Sequence, residues 1–131
     1  VDAEVKEAWE SFLRRIPWTH FLTVTFRTPR PPNHGASTLR EVGRALASEC
    51  EAPFFLGTEL HANGSLHVHG LLKGPDDAAP ATHRLLANLL WERLRREFGR
   101  SQVRRVRDVE AATSYCVKYV VKELTEWDMR L

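Results

Sequence analysis

Pro53-Phe54-Phe55-Leu56-Gly57-Thr58-Glu59-Leu60, followed by His61-Ala62-Asn63-Gly64-Ser65 and Leu66-His67-Val68-His69-Gly70-Leu71-Leu72, is the stretch that decides how this chain folds. Both apolar runs have the length of a β-strand, and the join between them is short enough only for antiparallel neighbours. Strand side chains alternate, so His67 and His69 project from one face with Cβ atoms about 7 Å apart. Two registers are open. A three-residue loop Ala62-Asn63-Gly64 with Gly64 in a left-handed bulge position pairs His61 with Ser65 and sets Glu59 opposite His67. A two-residue Asn63-Gly64 turn sets Glu59 opposite Val68 and points its carboxylate away. The first is favoured, because Gly64 suits the bulge and a buried carboxylate otherwise needs a partner.

Working outward, residues 2 to 15 read as a helix with Trp9, Phe12, Leu13 and Ile16 as its apolar stripe, and 18 to 26 as a strand. The proline-rich run from Arg27 to Gly35 reads as a loop, mobile or in contact with a ligand. Ser37 is the expected cap of a helix reaching Glu49. A second loop, Gly74 to Pro80, leads to a helix capped by Thr82, carrying Leu85, Leu86, Leu89, Leu90, Leu94 and Phe98 and stopping at Gly99. Gln102 to Arg107 alternates as an edge strand. This order, strand, helix, hairpin, helix, strand, predicts an α+β fold: a central antiparallel sheet backed by helices, with the hairpin in its middle and an exposed sheet face.

Near the end of the chain stands Ser114-Tyr115-Cys116-Val117-Lys118-Tyr119-Val120-Val121-Lys122, a doubled tyrosine-x-x-lysine pattern on a helix opening at Val109 or Glu110. At 3.6 residues per turn, Tyr115, Tyr119 and Lys122 share one face and Lys118 lies about 60° to one side. Thr113, Val117, Val120, Val121 and Leu124 form the apolar side. A half-buried structural helix gives the same pattern. The histidines alter the balance: two imidazoles with Glu59 leave coordination positions open for water and substrate oxygens, which suits Mn²⁺ or Mg²⁺ in Lewis-acid work.

The hydrophobic strand Phe21-Leu22-Thr23-Val24-Thr25-Phe26, the His67-Val68-His69 triplet and the tyrosine-lysine helix, in that order, resemble the HUH endonuclease domain of rolling-circle replication initiators, the Rep proteins of single-stranded DNA viruses, phages and plasmids. The doubled tyrosine is similar to the two-tyrosine initiators of small phages. The resemblance covers about residues 18 to 125 and implies a ferredoxin- or RRM-like HUH fold. It implies a metal-dependent, sequence-specific nicking and joining endonuclease acting through a 5′-phosphotyrosine. His67, His69 and Glu59 would hold the metal, Tyr115 or Tyr119 would attack, and Lys122 and Lys118 would steady the phosphate or phenolate. Its implied partner is single-stranded DNA at a replication origin, including a hairpin form, together with an appended helicase or host replication proteins. The expected setting is the cytoplasm of a bacterial or archaeal host carrying a plasmid or phage. Two other readings stay open: an HUH transposase or relaxase, and a non-catalytic nucleic-acid-binding module of RRM-like fold.

Composition is compatible. With 131 residues and 43% hydrophobic content, the expectation is one domain spanning 1–131, cut from a longer protein since it begins at Val1. No run approaches the roughly 20 apolar residues of a membrane helix. Cys50 and Cys116 lack metal-site spacing and read as buried thiols. Net charge is only +2, yet eight arginines fall between Arg84 and Arg107 against Glu92 and Glu97. This cluster either tracks a phosphate backbone, with Arg104, Arg105 and Arg107 foremost and Lys73 beside the metal strand, or is a solvated face. Trp18, Trp91 and Trp127 could stack on bases, Trp91 being the better fit to a core; His20, His34 and His83 read as structural or exposed, and His61 as a turn residue facing solvent.

Overall fold

In the computed structural model the hairpin forms in the favoured register. Strand β2 (Phe54–Leu60) pairs antiparallel with β3 (Leu66–Leu72), with Glu59 opposite His67 and Gly57 opposite His69. Gly64 adopts φ +86°, Gly64 N–H donates to the His61 carbonyl, and His61 N–H donates to that of Ser65. Asn63 fixes the turn by accepting from both the N–H and the hydroxyl of Ser65 through Oδ1. Residues 3–106, 108–123 and 127–131 are described, without the side chains of 109 and 119–123.

Around the hairpin run α1 (Ala3–Arg14), β1 (His20–Thr25), α2 (Gly35–Glu49), α3 (Pro80–Glu97), β4 (Ser101–Arg105), α4 (Val109–Glu123) and β5 (Trp127–Arg130). The sheet order is β4-β1-β3-β2-β5, every pair antiparallel, as the α+β expectation requires. One face carries Leu22, Val24, Phe54, Leu56, Val68 and Leu72 and is covered by Leu39, Val42 and Leu46 of α2 and Leu90 and Leu94 of α3. Gly70 lies between Leu22 and Leu56 on that face, where a Cβ would come within 2.6 Å of the Leu56 side chain. On the other face α1 and α4 cover only one end: Leu13, Trp18, Cys116 and Val117 pack on Phe55 and Leu71. The remainder of that face stays open around His67, His69 and Glu59.

Several expectations are corrected. Strand β5 escapes sequence reading altogether. Helix α2 starts at Gly35, with the Ser37 hydroxyl donating back to the His34 carbonyl, and α3 starts at Pro80 with Ala79 as N-cap in place of Thr82. Proline is pre-set for that first helical position. The proline-rich loop is tied down: the Arg30 carbonyl accepts from Leu66 N–H, and the Arg30 guanidinium pairs with Glu41 and lies over the Phe26 ring. Trp91 is 38% exposed and donates through Nε1 to the Ser101 carbonyl, tying α3 to β4 in place of joining the core. Trp18, by contrast, is buried, with its indole N–H on the Leu13 carbonyl, and cannot meet a base.

Candidate active site

The open end of the sheet holds two cross-strand rows. Thr25, His67 and Glu59 form one; Thr23, His69, Gly57 and Trp127 form the other. Glu59 and His69 are buried, at 8% and 4% exposure, and the Glu59 Oε1 atom lies 2.5 Å from His61 Nε2 and 3.3 Å from His69 Nε2. The His61 ring lies flat on His67, centroids 3.4 Å apart and 12° from parallel. This corrects the solvent-facing reading of His61, which stands two residues from Glu59, where strand alternation puts the two on one face.

Each imidazole is held from behind. His69 Nδ1 is 3.1 Å from Thr23 Oγ1 and His67 Nδ1 is 3.2 Å from Thr25 Oγ1. Phe21 stacks beside His69 at 5.9 Å, and Tyr115 meets it edge-on at 5.1 Å. Burial, the largest cause, holds His67 and His69 below the ordinary imidazole range, with neighbouring histidines adding to the shift and Glu59 opposing it. Both therefore remain neutral near pH 7, the form in which imidazole ligates a cation.

Tyr115 stands on α4, 41% exposed, its ring also edge-on to Phe21 at 5.4 Å. Buried Cys116 and Val117 anchor that helix on the sheet, and Asp108 caps it by accepting from Ala111 N–H at 3.1 Å. The apolar side of the helix matches expectation as far as it is described. Burial raises the Cys116 thiol far above its ordinary pKa, making it an inert core group. Lys118 is exposed on the same helix. The Tyr119 and Lys122 side chains, and Arg107 as a whole, lie outside the described residues, as does Leu124.

Tyr115, Glu59, His61, His67 and His69 line one open pocket of about 570 Å³. Its far wall is β4 and the turn before it, contributing Arg100, Gln102, Arg104 and Arg105. None of these arginines has an acidic partner among the described residues, whereas Arg93 is bound to Glu49 and Glu97 and Arg95 to Glu92. The basic cluster therefore divides: on α3 Arg93 and Arg95 are held in internal pairs, while the arginines of β4 line the pocket. Arg105 also lines a second cavity with His20, His83 and Arg84. Lys73 is not brought to the site; it lies beyond the opposite end of β3 and pairs with Asp76 at 2.7 Å.

Carboxylate and imidazole donors sharing one pocket, with the histidine Nδ1 atoms engaged elsewhere, fit a divalent cation by donor type. Among the described residues no group of three or more His, Cys, Asp or Glu is closed into a metal-holding set; Glu59 is turned onto His61 and His69. No helix among the described residues is long and apolar enough to cross a membrane. The model of a family described as replication-associated protein ORF2 matches residues 19–124, a span running from the strand β1 through the tyrosine helix. No curated protein matches the chain.

Proposed function

The chain belongs to the replication-associated protein ORF2 family, and from that premise we propose that it nicks and rejoins single-stranded DNA at a replication origin through a tyrosine nucleophile, initiating rolling-circle replication. The observation that carries this reading is the approach of the Tyr115 ring to His69, 5.1 Å between centroids, inside a pocket walled by arginines that lack an acidic partner among the described residues. A non-catalytic nucleic-acid surface has no need of a phenol set against a carboxylate–imidazole group.

In this reading His67, His69 and Glu59 would hold a divalent cation, Mn²⁺ or Mg²⁺, with His61 bracing the Glu59 carboxylate. The chemistry supplied by the cation when bound is polarisation of a nonbridging phosphate oxygen and stabilisation of the departing 3′ oxygen. Arg104 and Arg105, with Arg107 beyond them, hold the strand by its phosphates. Tyr115 attacks phosphorus in line: the phenol gives its proton to water, a bond forms between the phenolic oxygen and phosphorus, the bond to the 3′ oxygen breaks, and that oxygen takes a proton from water to leave as a 3′-hydroxyl. A phenol titrates near pH 10, so a nearby positive charge must favour its phenolate; Lys118 and Lys122 carry that charge on the same helix. The 5′-phosphotyrosine keeps the bond energy, which permits rejoining. Tyr119, one helical turn further on, is the acceptor for a second transfer. The work belongs in the cytoplasm of a plasmid- or phage-bearing host, alongside a helicase and host replication proteins.

The test is incubation with Mn²⁺ and a library of single-stranded oligonucleotides, followed by a denaturing gel and mass spectrometry. A peptide–DNA adduct on Tyr115, absent from Tyr115→Phe and from His67→Ala, is the expected result. DNA binding without any adduct across the library would replace this reading with a binding module.

A further inference from the structure

We propose that Thr23 and Thr25 are positioning residues for the histidine pair, their hydroxyls locking the His69 and His67 rings through Nδ1 so that both Nε2 atoms serve the pocket. The inference rests on the cation-binding reading above and extends it to a strand to which that reading gives no role.

Strand β1 pairs with β3 so that Thr23 lies opposite His69 and Thr25 opposite His67. Each hydroxyl reaches the same ring nitrogen of its partner, at 3.1 Å and 3.2 Å. Threonine is common in strands for its branched Cβ, and propensity alone would account for its presence. It does not account for the repeated contact: Val24, between them, faces the core, while both threonines turn to the open face and meet a histidine there.

The hydroxyl suits the task because it carries one donor and two acceptor lone pairs. His69 Nε2 faces the Glu59 carboxylate at 3.3 Å, which favours a proton on Nε2 and makes Thr23 the donor to Nδ1. Ligation through Nε2 requires the other neutral tautomer, in which the proton sits on Nδ1 and the hydroxyl accepts. One proton leaves Nε2 and one is gained at Nδ1, so the imidazole stays neutral. The contact survives both arrangements and the ring need not turn. Valine preserves the shape and removes the hydroxyl; serine preserves the hydroxyl.

Two measurements on Thr23→Val, Thr25→Val and the matching serine variants test this. Long-range ¹H–¹⁵N spectra of the histidine rings, recorded without metal, should show the Nδ1 signals of His69 and His67 displaced in the valine variants and restored by serine. Calorimetric titration with Mn²⁺ alone, without DNA, should show affinity lowered by about 10–100-fold in the valine variants and recovered by serine. Wild-type ring signals and Mn²⁺ affinity in both valine variants would overturn the proposal. Displaced ring signals in a protein that binds no Mn²⁺ even as wild type would sink the cation reading and leave the threonines as orienting groups for free imidazoles. Should valine prevent folding, the alanine variants remove the hydroxyl by truncation and give the same comparison with serine.

Discussion

Gly64 and Gly99 both sit at positive φ, +86° and +140°, but a side chain would be received differently at the two. Around Gly64 there is nothing within 4 Å, so Gly64→Ala should cost only the left-handed strain, about 1–2 kcal/mol by urea unfolding. At Gly99 a Cβ would stand 2.6 Å from Arg27 N and 2.7 Å from the Thr25 carbonyl oxygen, both backbone atoms that cannot step aside. Gly99→Ala should therefore destabilise clearly more than Gly64→Ala in the same measurement, and equal losses would contradict the clash. Residues legible in the sequence are those fixed by alternation and one turn: Gly64 sets the register, the register sets Glu59 opposite His67, and period two sets His69 beside them. His61 is legible by the same alternation, and only the habit of sending turn residues to solvent hides it. The pairing of His20 with the His83 carbonyl is not legible, since it joins residues 63 apart that only the packing of α3 on β1 brings together.

Charge read along α3 and β4 as one basic run turns out to belong to two different jobs. On α3, Arg93 finds carboxylates on α2 and on its own helix and Arg95 one on its own helix, and composition cannot reveal that Glu49, distant in sequence, is one of them. Those on β4 have no such neighbour among the described residues and line the pocket, Arg104 from the open face opposite Phe21 and Arg105 from the α3 side opposite His20. Single-strand affinity falls with salt at a slope of about 0.7 per neutralised phosphate. Arg104→Ala and Arg105→Ala should each lower that slope by roughly this amount, and Arg93→Ala should leave it unchanged while lowering the melting temperature; a slope lost equally in all three would reassign the α3 arginines to DNA. Strand β5 is hard to see in the sequence for a related reason: Trp127-Asp128-Met129-Arg130 alternates apolar with polar, but over four residues only, too short a run to mark a strand, and its strand form comes from pairing along the edge of β2. Arg130 completes that docking by donating to the Cys50 and Ala52 carbonyls.

Stability of the whole molecule depends on histidines kept neutral. His20 is fully buried between β1 and α3, its Nε2 3.1 Å from the His83 carbonyl, and burial lowers its pKa, as it does those of His83, His67 and His69. The unfolded chain gains protons on these groups as pH falls below about 6.5, while the folded protein resists them, so stability is full above that pH and declines below it. His20→Gln, which cannot titrate, should give a flatter profile between about pH 7.5 and pH 5 in urea unfolding; a profile as steep as wild type would place the lost stability elsewhere. The sheet order has one more consequence. His67 and His69 ride on β3, laddered on both sides by β1 and β2, while the strand bearing Arg104 and the strand bearing Trp127 are the two margins. Breathing of the margins, where a polynucleotide would enter and leave, costs little and leaves the histidines in register, but their amide protons can be traded with solvent only when the whole domain comes apart.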